Sequence, residues 1–159
     1  MGRTGDAKRR GDPAASGFRL ENSPFFLMNR AVATYSLAME RALRAVGTDI
    51  PRWRVLMLAH EYGPVSVGRI AESAVLKLPT ATKVVQRLHR DGLVQIRRSV
   101  NDGRVTEVEL TGAGREAVRV IRGVASQMYR AAFGDFAAPE IQALNTALTR
   151  VHRNLRNGG

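Results

Sequence analysis

Thr80, Lys83 and Arg87 recur at intervals of three and four, which brings side chains onto one face of a helix. Between them Ala81, Val84, Val85 and Leu88 form an opposite, apolar face. The polar face holds a hydroxyl and two cations and no acid. Its chemistry is recognition of anions rather than bond-making: a hydroxyl reaches a phosphate or a base edge, and Lys and Arg reach phosphate or guanine O6 and N7. A second set lies about fifteen residues further on. Arg97 and Arg98 precede a polar segment of Asn101, Asp102, Gly103 and Arg104. An arginine at a hairpin tip can enter a narrow, negative minor groove. Asp102 would repel phosphate by itself. Two residues from Arg104 across a glycine, its carboxylate can hold the guanidinium in one orientation. Asp-Gly is also an ordinary turn pair, and the two roles are compatible.

The elements around these residues follow from periodicity. A helix from about Pro79 to Arg90 ends at Asp91-Gly92. A shorter helix over Ser66–Ala74 precedes it, with a tight turn at Leu76–Lys77, which is a helix-turn-helix. The period then changes: Val94 and Ile96 alternate with Gln95 and Arg97, and Thr106, Val108 and Leu110 share a face. That is a β-hairpin. A hairpin directly after a helix-turn-helix makes a winged helix. Ser66, Lys77 and Thr82 complete the set expected to face DNA with Thr80, Lys83, Arg87, Arg97, Arg98, Asp102 and Arg104.

Long helices flank this unit. Ser23 is a suitable N-cap with Pro24 at the first helical position. Met28, Val32, Tyr35, Met39, Ala42 and Val46 then form a stripe up to Gly47. A helix over Ile50–Glu61, capped by Thr48 or Asp49, carries Trp53, Leu56, Met57 and His60 along one side. Thr111 caps another to about Phe133, and a last one runs from Pro139 to about Arg156 with Ile141, Leu144, Leu148, Val151 and Leu155 apolar. The expected fold is mainly α with a small β-hairpin wing: a winged helix-turn-helix with a helical dimerisation bundle. Residues 1–20, with Lys8, Arg9 and Arg10 in a run, read as a flexible basic tail. Residues 21–47 and 111–157 read as dimerisation helices, and 48–110 as the DNA-binding domain.

Composition agrees with a polyanionic partner. The 159 residues carry 25 Lys+Arg against 14 Asp+Glu, a net charge of +11, and are 44% hydrophobic, enough for a packed core. The absence of cysteine excludes disulfides, thiolate metal sites and cysteine redox switches. His60, His89 and His152 sit in different segments without metal-ligand spacing, so neither a metal nor another cofactor is expected. No apolar run nears the ~20 residues that span a bilayer. No secretory leader is read, so a soluble, cytoplasmic protein is expected. No P-loop, nucleophile elbow, zincin or dinucleotide motif is present, and Gly112-x-Gly114 reads as a helix start, so no enzyme is expected.

The run Asp102-Gly103-Arg104 followed by Val108, Leu110 and Thr111 resembles the wing signature of the MarR family. Thr80 to Leu88 with the exit Gly92-Leu93-Val94 resembles that family's recognition helix, and Trp53-Arg54-Val55-Leu56-Met57-Leu58 the helix before it. The likeness covers roughly residues 25–156 in order and spacing. Pro79 stands where a small polar residue is usual, Lys83 where Arg is frequent, and Val75 where the turn usually has Gly. The resemblance implies a homodimer on a palindromic operator, usually a repressor, released in many members by a small, often aromatic, anion. The effector pocket it implies lies near Tyr35, Met39, Trp53, Arg54, Met57 and His60; each taken singly also reads as a core residue. The rival readings are a sequence-neutral architectural DNA binder and a winged helix used for protein contacts.

Overall fold

The computed structural model describes residues 10–100 and 102–158. Among these, six α-helices and three short strands follow in the order α1 (Pro24–Ala45), α2 (Ile50–Tyr62), β1 (Val65–Ser66), α3 (Val67–Ser73), α4 (Leu78–Arg90), β2 (Val94–Arg98), β3 (Thr106–Leu110), α5 (Gly112–Phe133) and α6 (Ala138–Asn157). The fold is mainly α with a β wing, as the sequence implies. The run Lys8–Arg9 and the tip residue Asn101 lie outside the described residues. Residues 10–19 are built from turns, with Arg19 N–H donating to the Arg10 carbonyl at 3.1 Å, and a 3-10 helix covers Leu20–Asn22.

The helix boundaries follow local chemistry. Asp49, not Thr48, caps α2, accepting from the Arg52 N–H at 2.8 Å. Ser23 occupies the N-cap position of α1, but its side chain makes no capping hydrogen bond. Gly47 follows α1 at φ +74° and Gly92 follows α4 at φ +72°, both in the left-handed region that glycine enters without penalty. Ser66 caps α3 through the Arg69 N–H. Thr111 is doubly engaged: its hydroxyl donates to the Gly92 carbonyl at 2.7 Å and accepts from the Gly114 N–H at 3.0 Å.

The sheet is antiparallel in the order β1-β3-β2. Val94 pairs with Leu110, Ile96 with Val108 and Arg98 with Thr106. This register puts Val94, Val108 and Leu110 into the core, while Thr106 stays exposed. The strand β1 is absent from the sequence reading, because two residues are too few to show an alternation. Val65 pairs with Val108 and is buried.

The chain forms two compact units, divided between Val124 and Ala125 within α5. The core of the first is built from Met39 and Leu43 of α1, Val55, Leu56 and Ala59 of α2, Ile70 of α3, and Val118 and Ile121 of α5. Ala81, Val85 and Leu88 of α4 join it, as the apolar face predicts. Burying a side chain such as Leu88 stabilises the fold by about 2 kcal/mol. The inward side of α2 is rotated from the expected one: His60 is exposed and Trp53 and Met57 are half-buried, whereas Val55 and Ala59 are buried. In the second unit, Tyr129, Phe133 and Phe136 stack at centroid distances of 5.3 and 5.4 Å, and the Ala137 N–H is capped by Glu140 at 2.9 Å. No residue of α6 is buried, and Leu144, Leu148 and Leu155 are exposed.

Candidate nucleic-acid interface

The α4 helix separates its two faces cleanly. Thr80, Lys83 and Arg87 are exposed opposite the buried Ala81, Val85 and Leu88. Lys77, at the N-cap position, is exposed as well. Thr82 is half-buried, and its hydroxyl donates to the Leu78 carbonyl one turn back at 2.9 Å. Ser66 sits on β1, and its side chain caps α3.

Val75 adopts φ +55° in the turn between α3 and α4, and is 85% exposed. A β-branched residue is unfavourable there. The turn therefore keeps the geometry that glycine would give, with Leu76 N–H donating to the Ala71 carbonyl at 2.9 Å. The far end of α4 is anchored from α2: Arg52 donates to Asp91, the α4 C-cap residue, in an ion pair. His89 Nδ1 lies 3.0 Å from the Val94 carbonyl at the same exit.

At the wing tip, Asp102 grips Arg104 three times. Its Oδ1 accepts from the Arg104 N–H at 3.0 Å and from Nε at 3.2 Å, and its Oδ2 accepts from Nη2 at 3.4 Å. The Arg104 side chain is 92% exposed even so. These hydrogen bonds, the guanidinium ones first, hold the Asp102 carboxyl below its ordinary value. The tip is closed by Val105 N–H on the Asp102 carbonyl and Ser99 N–H on the Val105 carbonyl, both at 2.8 Å. The two strand arginines differ. Arg97 lies between Glu107 at 3.9 Å and Glu109 at 3.2 Å, so its charge is largely answered on the neighbouring strand. Arg98 is exposed, and its Nη1 donates to the Gly103 carbonyl at 3.4 Å. The sequence offers no local signal for the Arg97 pairing, because it depends on register.

The six residues expected around an effector are not all brought together. Tyr35 and Trp53 pack with ring centroids 6.4 Å apart. Arg54 lies near enough to Tyr35 to oppose, by its charge, the upward push that burial gives the phenol. Its Nη1 donates to the Ala74 carbonyl at 3.0 Å. Trp53 Nε1 is buried, with no hydrogen-bond partner among the described residues. Met39, by contrast, is wholly buried core, and Met57 is half-buried. His60 faces α5, with Nε2 3.4 Å from Arg122 Nη1, and lines a cavity of about 190 Å³ with Arg115, Val118 and Arg119. Among the described residues no group of three His, Cys, Asp or Glu side chains is placed to hold a metal, and no helix is long and apolar enough to cross a membrane.

Comparison with known proteins agrees with this geometry. The MarR family profile matches residues 49–106, from the α2 cap to the start of β3. Over 144 residues, 91% of this chain and 86% of the relative, the sequence is 38% identical to the HTH-type transcriptional repressor IacR of Pseudomonas putida. The crystal structure of a MarR-family transcriptional regulator from Silicibacter pomeroyi superposes with a TM-score of 0.78 at 24% identity, covering 86% of this chain and 92% of that one. CouR from Rhodococcus jostii RHA1, solved bound to p-coumaroyl-CoA, superposes with a TM-score of 0.77 at 21% identity over 84% of this chain and 94% of that one. These two structural likenesses concern the fold; the family rests on the sequence matches. With an α4 face free of acids, a wing arginine held by its own aspartate, and 38% identity over nine-tenths of its length, the chain belongs to the MarR family of winged-helix transcriptional regulators, which are DNA-binding proteins and not enzymes.

Proposed function

We propose that this protein is a repressor that binds a roughly palindromic operator as a homodimer and releases it when a small anionic ligand binds. The observation that carries the reading is the pairing of an acid-free α4 face (Thr80, Lys83, Arg87) with the exposed, Asp102-held Arg104 on one winged helix. In this reading α4 enters the major groove and Arg104 the adjacent minor groove. Lys77 and Arg98 approach phosphates. Ser66, Thr82 and Arg97 take smaller parts, because each is engaged within the protein. The 38% identical relative is itself a repressor by name.

A homodimer is supported by α6, which has no fully buried residue and leaves Leu144, Leu148 and Leu155 exposed, and by Phe25, Leu27, Val32 and Leu37, which α1 leaves exposed. Two α4 helices in such a dimer would stand ~34–36 Å apart to meet successive major grooves. Ligand release is supported by the Tyr35–Trp53–Arg54 cluster, where the buried indole N–H awaits an acceptor and Arg54 supplies charge. The CouR structure of the same fold holds an acyl-CoA ligand.

The test is competition at physiological salt between random duplex and the region upstream of the protein's own gene. Specific sites are expected to win by about 10³-fold or more. Equal competition would replace the regulator with a sequence-neutral DNA binder. Failure of both duplexes at low salt would leave a protein-contact module.

A further inference from the structure

The first two residues of α4, Leu78 and Pro79, are apolar and exposed, Leu78 to 55%. The inward row of the helix begins only at Ala81. Helical side chains lean toward the N-terminus of their helix, so these two stand at its leading end. Their neighbours are polar. Exposed Lys77 precedes them, exposed Thr80 follows, and Lys83 lies one turn on from Pro79 along the same face. The Thr82 hydroxyl is engaged with the Leu78 carbonyl at 2.9 Å. Position 79, where a small polar residue is usual, offers a ring with neither N–H nor hydroxyl. Cations beside an apolar tip match the major groove of a duplex. Phosphates run along its rim, and the apolar group on its base edges is the C5-methyl of thymine. In a helix-turn-helix, the N-terminal residues of the second helix are the ones that reach base edges.

We propose that Leu78 and Pro79 read thymine by apolar contact with its C5-methyl, and so set a preference for A·T pairs beneath the start of α4. The inference rests on α4 entering the major groove, as proposed above. The neighbouring cations draw α4 to the phosphates, which are the same for every sequence and so carry no base information. The two apolar side chains add the discrimination that charge cannot, since a G·C pair offers no methyl there.

The experiment selects a bound duplex from a random library with the full chain, then remakes that duplex with deoxyuridine in place of every thymidine. Uracil differs from thymine in lacking the C5-methyl. The native chain is expected to bind the uracil duplex at least about fourfold more weakly, the effect of one buried methyl. The double variant Leu78→Ser, Pro79→Ser should bind the two duplexes alike, and its melting curve checks that it folds. Arg98→Ala, which loses a phosphate contact, should bind both duplexes more weakly and keep the native ratio between them. Equal binding of the two duplexes by the native chain overturns the methyl contact. A ratio undiminished in the double serine variant overturns it too, because the methyls would then act through the shape of the duplex. So does a ratio lost in Arg98→Ala. In each of these cases DNA is still bound, and the operator binding proposed above stands. A library from which no duplex is enriched refutes that binding instead, and the thymine contact falls with it.

Discussion

Arg104 shows how a single residue can be both exposed and ordered. Its guanidinium stands 92% in solvent, where an arginine normally samples many rotamers, yet two bonds to Asp102 fix its direction. Binding then loses less side-chain entropy than a free arginine would. Arg104→Ala is expected to weaken operator binding by about ten- to hundredfold, measured by fluorescence anisotropy. Asp102→Asn should retain part of the affinity, because it keeps the arginine and loses only its clasp. The pH dependence follows from the sign of the Asp102 shift. Its carboxyl is held below the ordinary value by the Arg104 guanidinium, then by the Arg104 N–H. It therefore stays ionised below the ordinary range, and the clasp is lost only as pH falls through the depressed value. The ratio of affinities between the native chain and Arg104→Ala should stay constant as pH is lowered to about 4, the ordinary aspartate range. A ratio that already falls as pH reaches about 4 would show that Asp102 does not hold the arginine in solution.

Among the elements, two backbone positions decide how the winged helix is assembled. Val75 sits at φ +55° in the α3–α4 turn with its side chain 85% exposed, so it strains the backbone and packs little. Val75→Gly should raise stability by about 1 kcal/mol, the relieved strain outweighing the added freedom of the unfolded chain. The urea midpoint reads this directly, and a midpoint that stays or falls would mean the turn is unstrained. Gly114 is the opposite case. A Cβ there would lie 1.9 Å from the Leu93 carbonyl oxygen and 3.2 Å from Leu110 Cδ2. Gly114→Ala should destabilise by roughly 3 kcal/mol, since either α5 or the exit of α4 must shift. Gly123, also inside α5, has nothing within 4 Å of the same atom. Gly123→Ala should therefore stabilise by about 0.5–1 kcal/mol, as expected for an open helical position. If the two alanine variants melt together, the close approach of Leu93 to Gly114 is not real.

On the scale of the whole molecule, charge and exposed apolar surface point to two partners. The net charge of +11 favours a polyanion, and α6 leaves Leu144, Leu148 and Leu155 exposed. Sedimentation equilibrium is expected to give about twice the chain mass of 17.4 kDa. Leu148→Glu should shift the balance to monomer and weaken operator binding with it, because a single winged helix reaches one half-site. A native chain that sediments as a monomer would leave the α1 and α6 stripes without a second copy to bury them.

Much of this protein is legible in its sequence, wherever the signal is local. Period three-four spacing places Thr80, Lys83 and Arg87 opposite Ala81, Val85 and Leu88, and alternation places Val94, Val108 and Leu110 inward. The Asp102–Arg104 clasp is readable too, because two residues across a glycine cannot lie far apart. What only the tertiary structure decides is set by contacts distant in the chain. The Arg52–Asp91 pair spans 39 residues. The strand β1 exists because β3 offers an edge to Val65. Arg97 is drawn to Glu107 and Glu109 by register. His60 is turned from the expected effector cluster to Arg122 by the rotation of α2. The wing arginine could be foreseen because its partner is two residues away; the support of α4 could not, since its anchor lies on another helix and only packing brings them together.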